Sequence, residues 1–182
     1  RRLPQIVGAL DEASQQVAVR LWHQVTEHVV PVSSLEAAEM IKLINNSHTD
    51  LVYAFGNEVA MMASQLRLDP LELIRAANVN YPRPDLAKPG FVGGSCLTKD
   101  PYLLLSSFGE SGYEPRLVST ARHINESLPK TIAKHFLESV PRVGSGLNGA
   151  KVLVCGFAYK GWPATDDVRG SSTAGVMEEL GK

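Results

Sequence analysis

The order of apolar and polar positions divides the chain into an α/β start, a long helical middle and an α/β end. Residues 5–9 form a short apolar run, Asp11 opens a helical pattern through about Thr26, and residues 29–32 form a second run of mostly β-branched side chains. This order predicts a β-α-β unit. Such a unit normally belongs to a sheet with more strands, so we expect residues 1–33 to be the end of a larger domain.

One long helical pattern dominates the middle of the chain. Ser33 and Glu36 have the spacing of a capping box, and only Gly56 interrupts the pattern before Asp69, which predicts a single helix from about Ser34 to Arg67. One face carries apolar side chains at helical spacing: Met40, Leu43, Ile44, Leu51, Ala54, Phe55 and Met62.

A second face of this helix carries a lysine, a tyrosine and two amides: Lys42, Asn46, Tyr53 and Asn57. Amides with one lysine suit a site that hydrogen-bonds a ligand. A helix surface or a contact with another helix would show the same pattern, and the sequence leaves these alternatives open.

Shorter helices follow by the same cap and periodicity rules. The segment between the first two of them, residues 78–90, carries three prolines and predicts a loop. The predicted helices are Asp69 to about Ala77, Pro101–Phe108, Glu114 to about Leu128, and Pro129 to about Val140.

The end of the chain has the pattern of a second α/β domain. Residues 151–157 form an apolar run that predicts a buried parallel strand, and a polar loop and a helix from about Ser171 follow it. Cys155 lies inside this run, and we expect it to be buried and structural. One strand cannot close a sheet, so we expect residues 148–182 to be the opening of a domain that continues further.

The composition is that of an ordinary globular protein. Of the 182 residues, 44% are hydrophobic and 20% are charged, and the formal net charge is −1. These values predict no nucleic-acid partner, and the absence of a long apolar run predicts no membrane partner. Two separated cysteines and five scattered histidines predict a cytoplasmic protein without a metal site. Because the chain begins without an initiator methionine or a signal peptide, we expect it to be a fragment.

Cys96 is the strongest candidate for chemistry. It lies between a Gly93-Gly94 turn and the pair Asp100-Pro101, which has the pattern of an N-cap followed by the first helical residue. Free N–H groups and a helix N-terminus favour the thiolate, the nucleophilic form of sulfur. The alternative is a small buried residue in a tight loop.

Several motifs together resemble a known family. They are Glu39-Met40-x-Lys42-x-x-x-Asn46, Asn57-Glu58, Gly93-Gly94-Ser95-Cys96-x-x-Lys99-Asp100-Pro101, and Gly156-Phe157-Ala158-Tyr159-Lys160 with Asp166-Asp167-x-Arg169. In this order they resemble the nucleotide-sugar 6-dehydrogenases, the UDP-glucose/GDP-mannose dehydrogenase family.

The resemblance implies a mainly α fold built around one long helix. Residues 1–33 would be the end of a Rossmann-type NAD-binding domain, residues 34–147 a helical central domain that forms a homodimer, and residues 148–182 the start of a UDP-binding domain. No Gly-x-Gly-x-x-Gly fingerprint occurs in residues 1–33, so the main NAD site would lie outside this chain.

The resemblance also implies a reaction, in which the C6 alcohol of a UDP-sugar is oxidised twice to the acid with NAD. Cys96 would form a thioester in the second oxidation. Lys42 would stabilise negative charge on the substrate oxygen, Asn46 would bind that oxygen or a water, and Asp100 would orient Lys42 or the hydrolytic water.

Further residues are assigned to binding by the same resemblance. Substrate would be bound by Gly93, Gly94, Phe91, Lys160 and, across the dimer, Arg83; Arg169 would contact the cofactor. Phe91 departs from the family, which commonly has another glycine there. Ala76-Ala77-Asn78 with Pro82-Arg83 is more similar to the branch that acts on UDP-N-acetylhexosamines than to the UDP-glucose branch.

Two other classes of function stay open at this point. A helical interaction or dimerisation module would explain the long helix without any chemistry. A cysteine-dependent acyl transferase or hydrolase would explain Cys96, but it needs a histidine base near the sulfur, and none of the histidines stands in a recognisable pairing motif.

Overall fold

The structure is a computed structural model that describes residues 3–80, 85–140 and 149–182. The prediction of a mainly helical chain is confirmed, and the chain divides into two compact units, residues 1–45 and residues 46–182. The strands are β1 (Gln5–Val7) and β2 (Val29–Pro31). The helices are α1 (Glu12–His23), α2 (Leu35–Gln65), α3 (Pro70–Asn78), α4 (Asp100–Ser106), α5 (Arg116–Ser139) and α6 (Ser172–Leu180).

The first unit contains the predicted β-α-β arrangement. β1 and β2 pair in parallel with Gln5 opposite Val29, and α1 is the crossover between them. Asp11 caps α1, because its carboxylate accepts a 2.7 Å hydrogen bond from the backbone N–H of Ser14. The prediction of two strands around one helix is therefore confirmed.

The long helix is also confirmed, but its predicted cap is wrong by one residue. α2 begins at Leu35, and the hydroxyl of Ser34 accepts a hydrogen bond from the N–H of Ala37 at 3.2 Å. Ser34 is therefore the capping side chain, and the capping box predicted from Ser33 and Glu36 does not form. Two adjacent serines give the same sequence signal, and only the helix start decides between them.

The predicted apolar face of α2 divides into a buried and an exposed part. Ala54 is 1% exposed and belongs to the core, whereas Phe55 and Met62 are 49% and 51% exposed. The core of the second unit is made of small and medium side chains from α2, α3, α4, α5 and one loop: Ala54, Ala63, Ile74, Val92, Leu104, Ala121, Leu128 and Ala133.

α5 is a single helix, so the prediction of two helices meeting at Pro129 is wrong. A proline inside a helix removes one hydrogen bond and costs about 3 kcal/mol. Packing offsets this cost here. Leu128 and Ala133 are buried on either side of Pro129, and the proline ring lies against Gly175 of α6, where an added Cβ would be 3.1 Å from the proline Cβ.

The predicted strand over residues 151–157 is wrong as well. These residues form no strand, Leu153 is 88% exposed, and Cys155 is exposed where a buried residue was expected. A strand needs a neighbour to complete its hydrogen bonds, and within the described residues the only paired strands are β1 and β2. The helix predicted from Ser171 is confirmed as α6.

The domain boundaries predicted after residues 33 and 147 stay predictions, and residues 141–148 lie outside the described ranges. Within those ranges, none of the helices combines the length and the apolar character that crossing a membrane requires.

Gly56 gives a test of the packing around α2. A Cβ at this position would lie 2.3 Å from the carbonyl oxygen of Ala87, so the 85–90 loop contacts the helix backbone directly. We predict that Gly56→Ala lowers the free energy of unfolding by about 1–3 kcal/mol, although alanine is the better helix former. Urea denaturation followed by circular dichroism measures this change.

The matched control for this variant is Gly161→Ala, because a Cβ at Gly161 would meet no atom within 4 Å. This control should change the free energy of unfolding by less than about 0.5 kcal/mol. A Gly56→Ala protein as stable as the unsubstituted chain would contradict the close approach of the loop.

Candidate functional site around Cys96

Cys96 lies in a tight turn that leads into α4. Gly94 begins the turn in the left-handed region with φ of +87°. The carbonyl oxygen of Cys96 then accepts hydrogen bonds from the N–H groups of Lys99 at 3.1 Å and Asp100 at 2.8 Å. The Cys96 residue is exposed, so the alternative of a small buried cysteine is wrong.

Asp100 does not cap α4, and this prediction is wrong. Asp100 is the first residue of the helix and is buried, and Lys99 occupies the cap position without a side-chain cap. The Asp100 carboxylate instead accepts a 2.5 Å hydrogen bond from the side-chain amide of Asn46 in α2. The structure thus brings two of the four predicted catalytic residues together one turn after Cys96.

The glycines before Cys96 allow the chain's own residues to approach. A Cβ on Gly93 would lie 2.4 Å from the carbonyl oxygen of Gly170, and a Cβ on Gly94 would lie 2.6 Å from the ring of Tyr159. A side chain at either position would therefore displace the 159–170 loop. Direct contact of this loop with the cysteine turn was not expected from the sequence.

The 159–170 loop places fixed charges beside the turn. Arg169 donates two hydrogen bonds to the Asp167 carboxylate, at 2.9 Å and 2.7 Å, and these lower the pKa of Asp167 to about 2. The pKa of Arg169 is raised, mainly by Asp167 and to a smaller extent by Tyr159 and Cys96. The Lys160 ammonium lies 5.2 Å from the centre of the Tyr159 ring, in cation–π geometry.

The other predicted site residues lie at different places in the chain. Lys42 is exposed on α2, in the first compact unit. Phe91 is exposed in the loop before the glycines. Arg83 lies outside the described residues. The functions assigned to all of the site residues stay predictions.

Sequence reasoning missed a group of buried polar side chains next to this turn. Asn57, grouped above with the ligand-binding face of α2, is 1% exposed and hydrogen-bonded to Gly90 and Asn125. The sequence did contain a signal for this buried polar group. Asp50 is a carboxylate among apolar positions of the same helix, and Arg122 and Asn125 lie one turn apart in α5.

A groove of about 750 Å³ lies beside the loop that carries Phe91. It is lined by the second half of α2, the second half of α5 and residues 89–91, and its walls are mostly apolar. Cys96, Asn46 and Asp100 are not among the residues that line it, so the groove is separate from the cysteine turn.

Comparisons with known proteins agree in family and in fold. The central domain of the UDP-glucose/GDP-mannose dehydrogenase family matches residues 36–127. UDP-N-acetyl-D-mannosamine dehydrogenase of Pyrococcus horikoshii is 36% identical over 95% of this chain and 40% of its own length. UDP-N-acetyl-D-glucosamine 6-dehydrogenase of Salmonella typhi is 29% identical over 98% of this chain and 40% of its own length.

Solved structures show the same relationship. The NDP-N-acetyl-D-galactosaminuronic acid dehydrogenase of Methanosarcina mazei superposes with a TM-score of 0.84 at 27% identity, covering 98% of this chain and 40% of that protein. The chain therefore spans about two fifths of the proteins that it matches. Because the matched residues include nearly all of α2, the Cys96 turn and the Asn46–Asp100 pair, the chain belongs to the UDP-glucose/GDP-mannose dehydrogenase family.

Proposed function

We propose that the protein containing this chain is an NAD-dependent dehydrogenase that oxidises the C6 alcohol of a UDP-N-acetylhexosamine twice, to the acid. The observation that carries this proposal is an exposed cysteine in a fixed turn, one helical turn before a buried carboxylate that is hydrogen-bonded to an amide. This arrangement lies within the part of the chain that matches the family.

The choice of sugar follows the relatives. Proteins similar to this chain carry the names UDP-N-acetyl-D-mannosamine dehydrogenase and UDP-N-acetyl-D-glucosamine 6-dehydrogenase. We therefore place UDP-N-acetylhexosamines before UDP-glucose as substrates.

Cys96 has the chemistry that the second oxidation requires. Its thiolate adds to the C6 aldehyde to form a thiohemiacetal, loss of hydride gives a thioester, and water then releases the carboxylate and restores the thiol. Exposure of Cys96 leaves the sulfur open to a substrate from solvent. NAD, when bound, supplies the hydride acceptor for both oxidations.

Asn46 and Asp100 are proposed to serve the hydrolytic step. The amide of Asn46 holds the Asp100 carboxylate in one orientation, so that the carboxylate can orient a water beside the thioester. The proposal that Lys42 stabilises charge on the substrate oxygen rests on the family resemblance alone.

The 159–170 loop is proposed to hold phosphate groups. Asp167 fixes the guanidinium of Arg169, and a guanidinium of fixed orientation suits a phosphate of the cofactor or the substrate. Lys160 adds a second positive charge in the same loop, which suits the diphosphate of a UDP-sugar.

A homodimer is part of the proposal, and α2 is its proposed contact. Leu51, Phe55 and Met62 recur at helical spacing on one face, and the last two are about half exposed. A second copy of the chain related by a two-fold axis is the commonest partner that would cover such a face.

The first prediction concerns Cys96 in the whole protein. Cys96→Ser should lower acid formation by roughly 10³-fold or more, because a serine hydroxyl stays un-ionised where a thiol supplies thiolate. The assay measures NADH and acid formed from UDP-N-acetylglucosamine, UDP-N-acetylmannosamine, UDP-glucose and GDP-mannose. We expect two NADH per molecule of a UDP-N-acetylhexosamine.

Cys155→Ser is the matched control, because Cys155 is the second exposed cysteine and lies outside the turn. Its acid formation should equal that of the unsubstituted protein. Normal acid formation by Cys96→Ser would refute the thioester mechanism, and no NADH from any of the four substrates would favour the helical dimerisation module instead.

The second prediction concerns the dimer. Light scattering of this chain at micromolar concentration should give the mass of two copies, and Phe55→Glu should shift it to one copy by placing a charge on the covered face. Tyr53→Glu is the matched control, because Tyr53 is also an exposed aromatic residue of α2 but points to the opposite side of the helix. A monomer without any substitution, or equal effects of both variants, would contradict the proposed contact.

A further inference from the structure

Four polar side chains form a continuous buried network between α2 and α5. Asp50 and Asn57 are each 1% exposed, and Arg122 and Asn125 are each 2% exposed. Arg122 donates to Asp50 at 2.6 Å, Asn125 donates to the same carboxylate at 2.9 Å, and Asn57 donates to Asn125 at 2.9 Å. Together these four residues make up the buried network.

A gain in folding stability is a weak explanation for the presence of the buried network. Burial raises the pKa of Asp50 even though Arg122 lies against it, so the loss of solvent outweighs the attraction of the pair. Within the described residues, one carboxylate oxygen of Asp50 and the Nε of Arg122 are buried without a hydrogen-bond partner. Apolar side chains of similar volume often stabilise such a site equally well or better.

The first loop contact of the network is at Gly90. The N–H of Gly90 donates to the Asn57 side chain at 2.7 Å, and the Asn57 amide donates back to the carbonyl of Gly90 at 3.0 Å. This pair of bonds fixes both backbone polar groups of one residue to a rigid helix. The start of the loop that leads to Cys96 is therefore held by α2.

The second loop contact is at Leu97, the residue after Cys96. Arg122 donates to the carbonyl oxygen of Leu97 at 3.1 Å through the same nitrogen that binds Asp50. Gly90 and Leu97 enclose a segment that contains Phe91, both glycines of the turn and Cys96. One network thus holds both ends of the segment that carries the proposed nucleophile.

We infer that Asn57 and Arg122 are positioning residues, which set the location of Cys96 by clamping the 90–97 segment at its two ends. Neither residue is proposed to touch the substrate or the sulfur. The catalytic consequence rests on the proposed function, because it assumes that Cys96 takes part in the second oxidation only. A misplacement of about 1 Å in a reacting group can cost a rate factor of about 100.

Glu126 provides the matched control for these clamps. It accepts from the other terminal nitrogen of Arg122 at 3.1 Å and from the Tyr102 hydroxyl at 2.7 Å, and its side chain is half exposed. The Glu126→Gln variant alters a charged neighbour of Arg122 but leaves the bonds to Gly90 and Leu97 intact. If a changed charge beside Arg122 is enough to alter the loop or the reaction, without loss of a loop contact, the change should therefore appear in this variant.

The test compares three variants of the whole protein, each with one substitution: Asn57→Ala, Arg122→Lys and Glu126→Gln. Arg122→Lys keeps a positive charge beside Asp50, so no buried carboxylate is left without a cation. Hydrogen–deuterium exchange is measured on peptides that cover residues 86–93 and residues 94–98. Aldehyde and acid formed from the nucleotide sugar are measured with a trapping amine.

We expect each clamp variant to raise exchange at its own end of the segment by about 10-fold or more, Asn57→Ala in residues 86–93 and Arg122→Lys in residues 94–98. The ratio of trapped aldehyde to acid should rise by about 10-fold or more in both clamp variants. A loss of folded protein cannot produce this rise, because it lowers both products equally. Glu126→Gln should leave exchange and product ratio unchanged.

Unchanged exchange in both clamp variants, or an equal increase in Glu126→Gln, would overturn the inference. An equal fall of aldehyde and acid in Arg122→Lys would also overturn it. If the whole protein oxidises none of the nucleotide sugars, the proposed function fails, and the exchange measurements still decide on the clamps. If Arg122→Lys does not fold, Asn57→Ala decides with the same two measurements.

Discussion

The ion pair between Arg122 and Asp50 is the interaction that joins α2, α5 and the cysteine turn in one arrangement. A guanidinium buried this deeply is stable only beside a carboxylate, and removal of one partner of such a pair typically costs about 3–5 kcal/mol. The pair therefore fixes α5 against α2 in one register. Because Arg122 also donates a hydrogen bond to the carbonyl of Leu97, the same register fixes the position of the cysteine turn relative to the two helices.

The loop that leads to the cysteine turn packs against two adjacent residues of α2. Gly56 leaves room for the carbonyl of Ala87, and the next residue, Asn57, binds both backbone groups of Gly90. A side chain in place of Gly56 would push the loop away from the amide that holds it. Two adjacent residues thus combine close backbone approach with hydrogen bonding.

Local signals in the sequence predicted the helices well when only residues within one turn were involved. The predictions at Asp100 and Pro129 were wrong because these residues contact partners that lie far away in the sequence. Asp11 and Asp69 cap α1 and α3 as expected, because a cap involves only residues within one turn. Asp100-Pro101 has the same local pattern, but its carboxylate is taken by Asn46, 54 residues earlier in the chain. Pro129 likewise stays inside a helix because Gly175 packs against it from a helix that lies far away in the sequence.

The candidate site shows the same limit. The helical period placed Asn46 and Asn57 on one side of α2, and it left open whether their amides face a ligand or another part of the protein. In the structure each binds a different partner, Asp100 in one case and Gly90 in the other. No rule of spacing identifies those partners, because Asp100 lies 54 residues from Asn46 in the sequence and Gly90 lies 33 residues from Asn57.

One helix, α2, therefore carries both a proposed catalytic residue, Asn46, and a proposed positioning residue, Asn57. Asn46 and Asn57 are eleven residues apart, which is about 16 Å along a helix. α2 therefore sets the distance between Asp100, at the start of α4, and Gly90, at the start of the cysteine segment. Since a helix with continuous backbone hydrogen bonds changes length very little, Cys96 is confined between two points whose separation α2 determines.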